Sequence, residues 1–240
     1  MGSKYRDVDL VPLPNDDVLV IACDSCGAIG FKEHDVVEAP PFIVGKYTVR
    51  VCLMEIFAVG ALPIAITVSI CNEMEPTGRE MIKGIQDELE SCNLQLPMTI
   101  STEKNMPTTM TAIGVNIVGT CKENHLIHER VSEGDEVYLM GIPKVGQEVL
   151  PDQGEIATIS DVMMALQWDS VKEIIPLGSS GIKGELDKLW TYTGLDIEMD
   201  EDIAIDLEKS AGPCTAVLLF CETPIVEDCN VPLVRLGKLK

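Results

Sequence analysis

"FIVGKYTVRVCLMEIFAVGALPIAITVSICNE", residues 42–73, joins two apolar segments of different character through Gly60-Ala61-Leu62-Pro63. The first, 42–61, has the length of a helix and no turn residue between Gly45 and Gly60, although its Val and Ile content leaves some strand character. It is apolar nearly all round, which predicts a helix buried on most sides. The second, 63–73, reads as a strand that ends at Asn72-Glu73. A buried helix delivered to a strand needs further layers, and the flanking sequence supplies them.

On the N-terminal side, 8–13 and 18–24 read as strands joined by the turn-rich P-N-D-D. On the C-terminal side, 76–94 is a helix with Met81, Ile85 and Leu89 as its stripe and Thr77 with Glu80 as a capping box. Strands follow at 98–102 and 109–120. The order ββαβαββ resembles a split βαβ arrangement with helices on one side of a mixed sheet. After the polar segment 121–135 the pattern restarts. Strands are expected at 136–142, 171–177, 215–222 and 232–237, and helices at 159–168, with Ser160 or Asp161 near its start, and 181–194. The expected fold class is α+β with two domains, residues 1–121 carrying the mixed sheet and 122–240 an α/β sandwich.

Composition narrows the function. The 240 residues are 46% apolar and 24% charged, and no apolar run reaches the span of a bilayer. The N-terminal segment has no apolar stretch of secretory type, so a cytoplasmic protein is expected. Acidic residues outnumber basic ones 39 to 18, a net charge of −21 that repels nucleic-acid backbones. The balance is that of a solvated acidic surface, or of a chain that takes a nucleotide through divalent metal held by carboxylates rather than through a basic cradle. The nine cysteines are an odd number scattered through apolar runs, which reads as reduced thiols. Their single C-x-x-C, Cys23–Cys26, is followed by Gly27 and Gly30 instead of a helix start.

Carboxylates and amides gather at expected strand ends: Asp24, Asn72-Glu73, and Glu103 with Asn105. Carboxylates that approach one another repel unless a cation lies between them. Asp24, Glu55, Glu73 and Glu103 are therefore the candidate ligands of Mg²⁺. Glu55 is the single acid of the buried helix, with a partnership to Arg50 or a solvent-facing position as its structural alternative. "CGAIGFKEHD" offers Gly27 and Gly30 for close anion approach, with Lys32, His34 and Asp35 beside them. "STEKNMPTT" (101–109) places Lys104 and Asn105 in a second loop, read either as a turn or as a site loop. "LGSSGIKGE" (177–185) is either an anion site at a helix start or a capped turn. Ser–His–Asp, H-E-x-x-H, Walker A and G-x-G-x-x-G patterns are absent from the sequence.

With these segments in place, the chain resembles the aminoimidazole ribonucleotide synthetase-like superfamily. The carriers are the buried helix with its acid Glu55, then Ala58-Val59-Gly60-Ala61-Leu62-Pro63 and a strand. The strand ending in Asp24, the loop "STEKNMPT" and the strand "EGDEVYLMG" add to the likeness. The resemblance implies ATP-dependent phosphoryl transfer with Mg²⁺, in a homodimer whose N-terminal sheets join into a barrel. It also implies metal roles for Asp24, Glu55 and Glu103. Asp7 and Asp9 are the nearest acids to an early G-D-D-A motif, and the usual S-D-G is reduced to Ser180-Gly181. "CDSCGAIGFKEHDVV", "CNEMEPTG" and "STEKNMPTT" are most similar to the α-ribazole kinase branch. The implied partners are ATP and a small nucleoside-like acceptor. Lys104 or Lys32 would neutralise phosphate, Asn72 and Asn105 would contact the nucleotide, Asp35 or His34 would orient the hydroxyl, and Asp24 is a catalytic as well as a metal candidate. Thiamine-phosphate kinase or cyclo-ligase chemistry, and a non-catalytic nucleotide-binding relative, are the alternatives.

Overall fold

The structure is a computed structural model describing residues 2–151 and 153–240. The chain divides into two compact units between Leu126 and Ile127. No helix is long and apolar enough to cross a membrane among the described residues.

The N-terminal unit is a six-stranded mixed sheet covered on one face by two helices. Its strands are β1 (Ser3–Tyr5), β2 (Val8–Pro12), β3 (Asp17–Gly27), β6 (Leu62–Ile70), β7 (Met98–Thr102) and β8 (Ala112–Lys122), in the order β1-β2-β3-β8-β6-β7. A two-stranded parallel ladder, β4 (Ile29–Gly30) with β5 (Val37–Glu38), lies in the segment after β3. Within one chain the six-stranded sheet is open, with β1 and β7 at its edges. Burial alternates as the strand period requires: Val18, Val20 and Ala22 of β3 and Ile113, Val115 and Ile117 of β8 face the helices.

Helix α1 (Pro41–Ala58) is the apolar segment expected at 42–61, and its burial explains why it lacks a polar face. It packs on β3, β8 and α2 (Arg79–Ser91). Two glycines let α1 and α2 touch backbone to backbone. A Cβ on Gly45 would lie 2.1 Å from the Met81 carbonyl oxygen, and one on Gly84 would lie 1.9 Å from that of Phe42. Arg50 of α1 donates to Glu88 of α2 through Nε and Nη2, at 2.6 and 3.0 Å, and stacks on Tyr47. The capping box expected at Thr77–Glu80 does not form. A tight turn at Met74–Gly78 precedes α2, and the Thr77 hydroxyl donates to Glu73 instead.

The C-terminal unit is a five-stranded sheet, ordered β10-β12-β9-β13-β11, with helices α3 (Ile159–Ala165) and α4 (Gly181–Thr193). Its strands are β9 (Glu136–Gly141), β10 (Val171–Pro176), β11 (Ile197–Met199), β12 (Ala216–Cys221) and β13 (Leu233–Leu239), paired antiparallel throughout. Every residue of β9 and β12 is buried, which is why both read as continuous apolar runs. Thr158, one residue before the expected helix, caps α3, accepting from the Asp161 amide while Asp161 accepts from Thr158. The short edge strands β1 and β11 lie outside the strands expected from periodicity, each being three residues long.

Candidate functional site

Three segments leave one end of the N-terminal sheet: 28–38 after β3, 71–78 after β6, and 103–111 between β7 and β8. The parallel pairing of β6 with β7, and the antiparallel pairing of both β3 and β6 with β8, bring these ends together. Backbone bonds tie them. Ala28 N donates to Thr111 O and His34 N to Thr109 O, both at 2.9 Å, and Glu103 N donates to Asn72 O at 3.1 Å.

Side chains complete the clasp. Asp35 accepts from the Thr111 amide at 2.7 Å, the Thr111 hydroxyl at 2.6 Å and the Lys32 amide at 2.7 Å. Burial alone would raise the Asp35 carboxyl, but these bonds outweigh it and hold it below the ordinary carboxylate value. Gly30 is required beneath this pair, since a Cβ there would lie 2.2 Å from Thr111 Oγ1 and 2.6 Å from Asp35 Oδ2. Lys32 Nζ reaches Glu73 at 2.8 Å. Against the opposing effect of burial, Lys32 and Thr77 hold Glu73 low. Asn72 is fully buried; its amide nitrogen donates to Thr108 Oγ1 and Met110 O, and its oxygen accepts from Ala112 N. The side chain is thereby committed to the clasp, so the nucleotide contact expected of Asn72 is not built into this arrangement. Glu103 accepts from the amides of Asn105 at 2.7 Å and Met106 at 3.1 Å, which lower its pKa. His34, Lys104 and Asn105 are exposed on these loops, and Gly27 opens onto clear space.

Asp24 lies elsewhere than its neighbours in sequence suggest. The strand expected to end at Asp24 runs on to Gly27, so Asp24 sits within β3 on the side facing α1, opposite Val115. Burial raises its carboxyl to about 6, and nearby Asp7 adds to the rise. Cys26 lies on the same side, its thiol pushed up to about 11 by burial and then by Asp24. Cys23, three residues earlier, points to the opposite, exposed side, as the strand period dictates. The C-x-x-C therefore cannot close on a metal or on itself, in keeping with nine free thiols.

Glu55 stands on α1, one turn beyond Cys52, and both Asp24 and Glu55 raise the Cys52 thiol behind the effect of burial. Its ion-pair partner is Arg6, at 3.6 Å; the alternative partner Arg50 belongs to Glu88. The proposed metal acids thus fall in two places: Asp24 and Glu55 beneath α1, and Glu73 and Glu103 on the loops. Among the described residues no group of three or more His, Cys, Asp or Glu is placed to hold a metal ion. The structure brings in Thr111 and Arg6, which sequence reasoning missed, and Thr77, which it read only as a helix cap. Thr111 carried no signal, lying inside an unbroken run of strand-forming residues. In the C-terminal unit, Ser180 donates to Glu185 at 2.8 Å, and the Ser180-Gly181 turn starts α4.

Residues 5–121 match the family model described as AIR synthase related protein, N-terminal domain. The N-terminal unit is similar to this family over those residues. All the N-terminal site residues above lie within the matched AIR synthase related domain. The fold of the whole chain is similar to solved structures of low sequence identity. One is thiamine monophosphate kinase from Aquifex aeolicus, 15% identical over 99% of this chain and 90% of that one, with a TM-score of 0.69. A structure described as AaThiL complexed with AMPPCP and TMP is 14% identical, covering 98% and 84%, at a TM-score of 0.67. PurL of Thermotoga maritima complexed with ATP is 15% identical over 98% of this chain, at 0.63. The chain spans only 37% of the length of that PurL. No curated protein matches the chain in sequence.

Proposed function

We propose that this chain is an ATP-dependent small-molecule kinase that uses MgATP to phosphorylate the 5′-hydroxyl of a nucleoside, with α-ribazole as the favoured acceptor. The observation that carries the reading is the clasped cluster of three loops on an AIR synthase related domain, with Lys32, His34, Lys104 and Asn105 held at one sheet end. Structures of similar fold bound to ATP and to AMPPCP support the nucleotide.

Among the described residues the acids do not make a resident metal site as arranged, because Glu73 and Glu103 accept from protein donors and Glu55 faces the Arg6 guanidinium at 3.6 Å. Magnesium accordingly enters this reading as part of the substrate MgATP. Lys104 and Asn105 on their exposed loop meet the phosphates, and Gly27 leaves room for close approach. Asp24, whose raised carboxyl takes up a proton more readily than an ordinary acid, receives the hydroxyl proton, and His34 orients the acceptor. The bond from acceptor oxygen to γ-phosphorus forms in line as the β,γ-bridging bond breaks, giving ADP and a 5′-phosphate. Asp35 and Lys32, bound to Thr111 and Glu73, position the loop.

We also propose a homodimer through the uncovered face of the sheet, where Leu62 is 66% and Ile64 44% exposed. The deciding experiment is ADP release from MgATP with α-ribazole, thiamine phosphate or formylglycinamidine ribonucleotide. Turnover with α-ribazole alone is expected. Turnover with another acceptor reassigns the substrate. ATP binding without turnover favours the second reading, a non-catalytic nucleotide-binding relative, which the lack of an acidic cluster among the described residues supports.

A further inference from the structure

The resemblance assigns Glu55 to a divalent metal, but the structure gives it a different cation. We propose that Arg6 is a built-in cation occupying the place beside Glu55, so that Glu55 is a structural acid and not a metal ligand.

Three independent features carry this. The first is the pair itself. Arg6 Nη2 lies 3.6 Å from Glu55 Oε2, and the two side chains are only 2% and 7% exposed. A buried carboxylate needs a compensating charge, and a guanidinium stays protonated at every working pH. The second is the backbone. Tyr5 pairs with Val8 across a two-residue turn, and Arg6 occupies its first central position at φ +52°. That left-handed conformation favours glycine, and an arginine persists there only where its surroundings over-determine it. The third is the packing of the guanidinium, whose carbon sits 5.9 Å from the Tyr5 ring centroid. The turn therefore aims a fixed positive charge under α1, toward the acid that the resemblance gives to a metal. Asp24 and Asp7 are the other acids near this region.

The test uses the full chain with Arg6→Gly, Glu55→Gln and the double variant. Glycine suits the turn, so Arg6→Gly removes the charge without adding backbone strain. Each single variant is expected to lower Tm by about 6 °C or more, because it removes the opposite charge that faces the remaining buried group across 3.6 Å. The double variant is expected to recover much of that loss. Mn²⁺ titration followed by electron paramagnetic resonance supplies a readout that does not depend on folding losses in Arg6→Gly. Whatever Mn²⁺ the wild type binds, Glu55→Gln is expected to bind equally. Loss of a bound Mn²⁺ in Glu55→Gln, or single-variant losses that simply add in the double variant, would overturn the assignment. Neither outcome depends on the kinase reading, since no acceptor or nucleotide is present.

Discussion

Asp24 is the residue whose chemistry and stability pull in opposite directions. Its carboxyl is raised from 3.8 to about 6 because β3 buries it under α1. The folded state therefore holds a proton that the unfolded chain has released between these two values. Stability contributed by the protonated form is present below pH 4 and is lost as pH rises through 6, amounting to about 3 kcal/mol. Asp24→Asn cannot ionise, so urea unfolding should show it more stable than the wild type at pH 7.5. The difference should shrink toward pH 4. Turnover of the variant should fall by about two orders of magnitude or more, as expected for a lost general base. A variant that is no more stable at pH 7.5 would remove the burial argument, and one with full activity would remove Asp24 from the site. The sequence placed Asp24 in the right strand but at its end. Its burial depends on how far β3 pairs with β8, which is settled only when Gly27 meets Ala112.

At the scale of elements, the contact between α1 and α2 has no tolerance. Gly45 and Gly84 admit the facing backbone where any side chain would overlap carbonyl oxygens of Met81 and Phe42. Gly84→Ala replaces glycine by a better helix former, which by propensity alone would stabilise α2 by about 1 kcal/mol. Overpacking against rigid backbone should win, costing about 2–3 kcal/mol in chemical denaturation. A neutral or stabilised variant would mean that the helices can part without penalty. Periodicity revealed both helices and the Met81, Ile85 and Leu89 stripe, all three of which are buried. It did not reveal the glycine contact or the Arg50–Glu88 pair, because each is defined by a partner about 40 residues away. A longer separation hid the Asp35–Thr111 clasp, whose members are 76 residues apart.

For the whole molecule, the uncovered face of the N-terminal sheet carries the proposed dimer. Leu62 and Ile64 are among the most exposed of its aliphatic side chains, and burying such residues against a second copy removes apolar surface from water. Light scattering on the wild-type protein should return twice the 26.1 kDa chain mass. Leu62→Glu combined with Ile64→Glu should return the single mass with unchanged helical circular dichroism. A monomeric wild type would refute the dimer while leaving the fold intact. The net charge of −21 opposes association, so the dimer should tighten as salt is added.

The sequence by itself determined the alternation of helices and strands, the α+β class and the burial of α1. Those follow from local periodicity, which each segment carries within itself. Through the Ala-Val-Gly-Ala-Leu-Pro segment after Glu55 the sequence also carried a resemblance to the AIR synthase-like proteins, whose N-terminal domain model matches residues 5–121. Only the tertiary structure decided which charged and polar groups meet. Lys32 takes Glu73, Asp35 takes Thr111, and Arg6 takes Glu55, because sheet order and strand register bring together residues that no spacing in the chain connects.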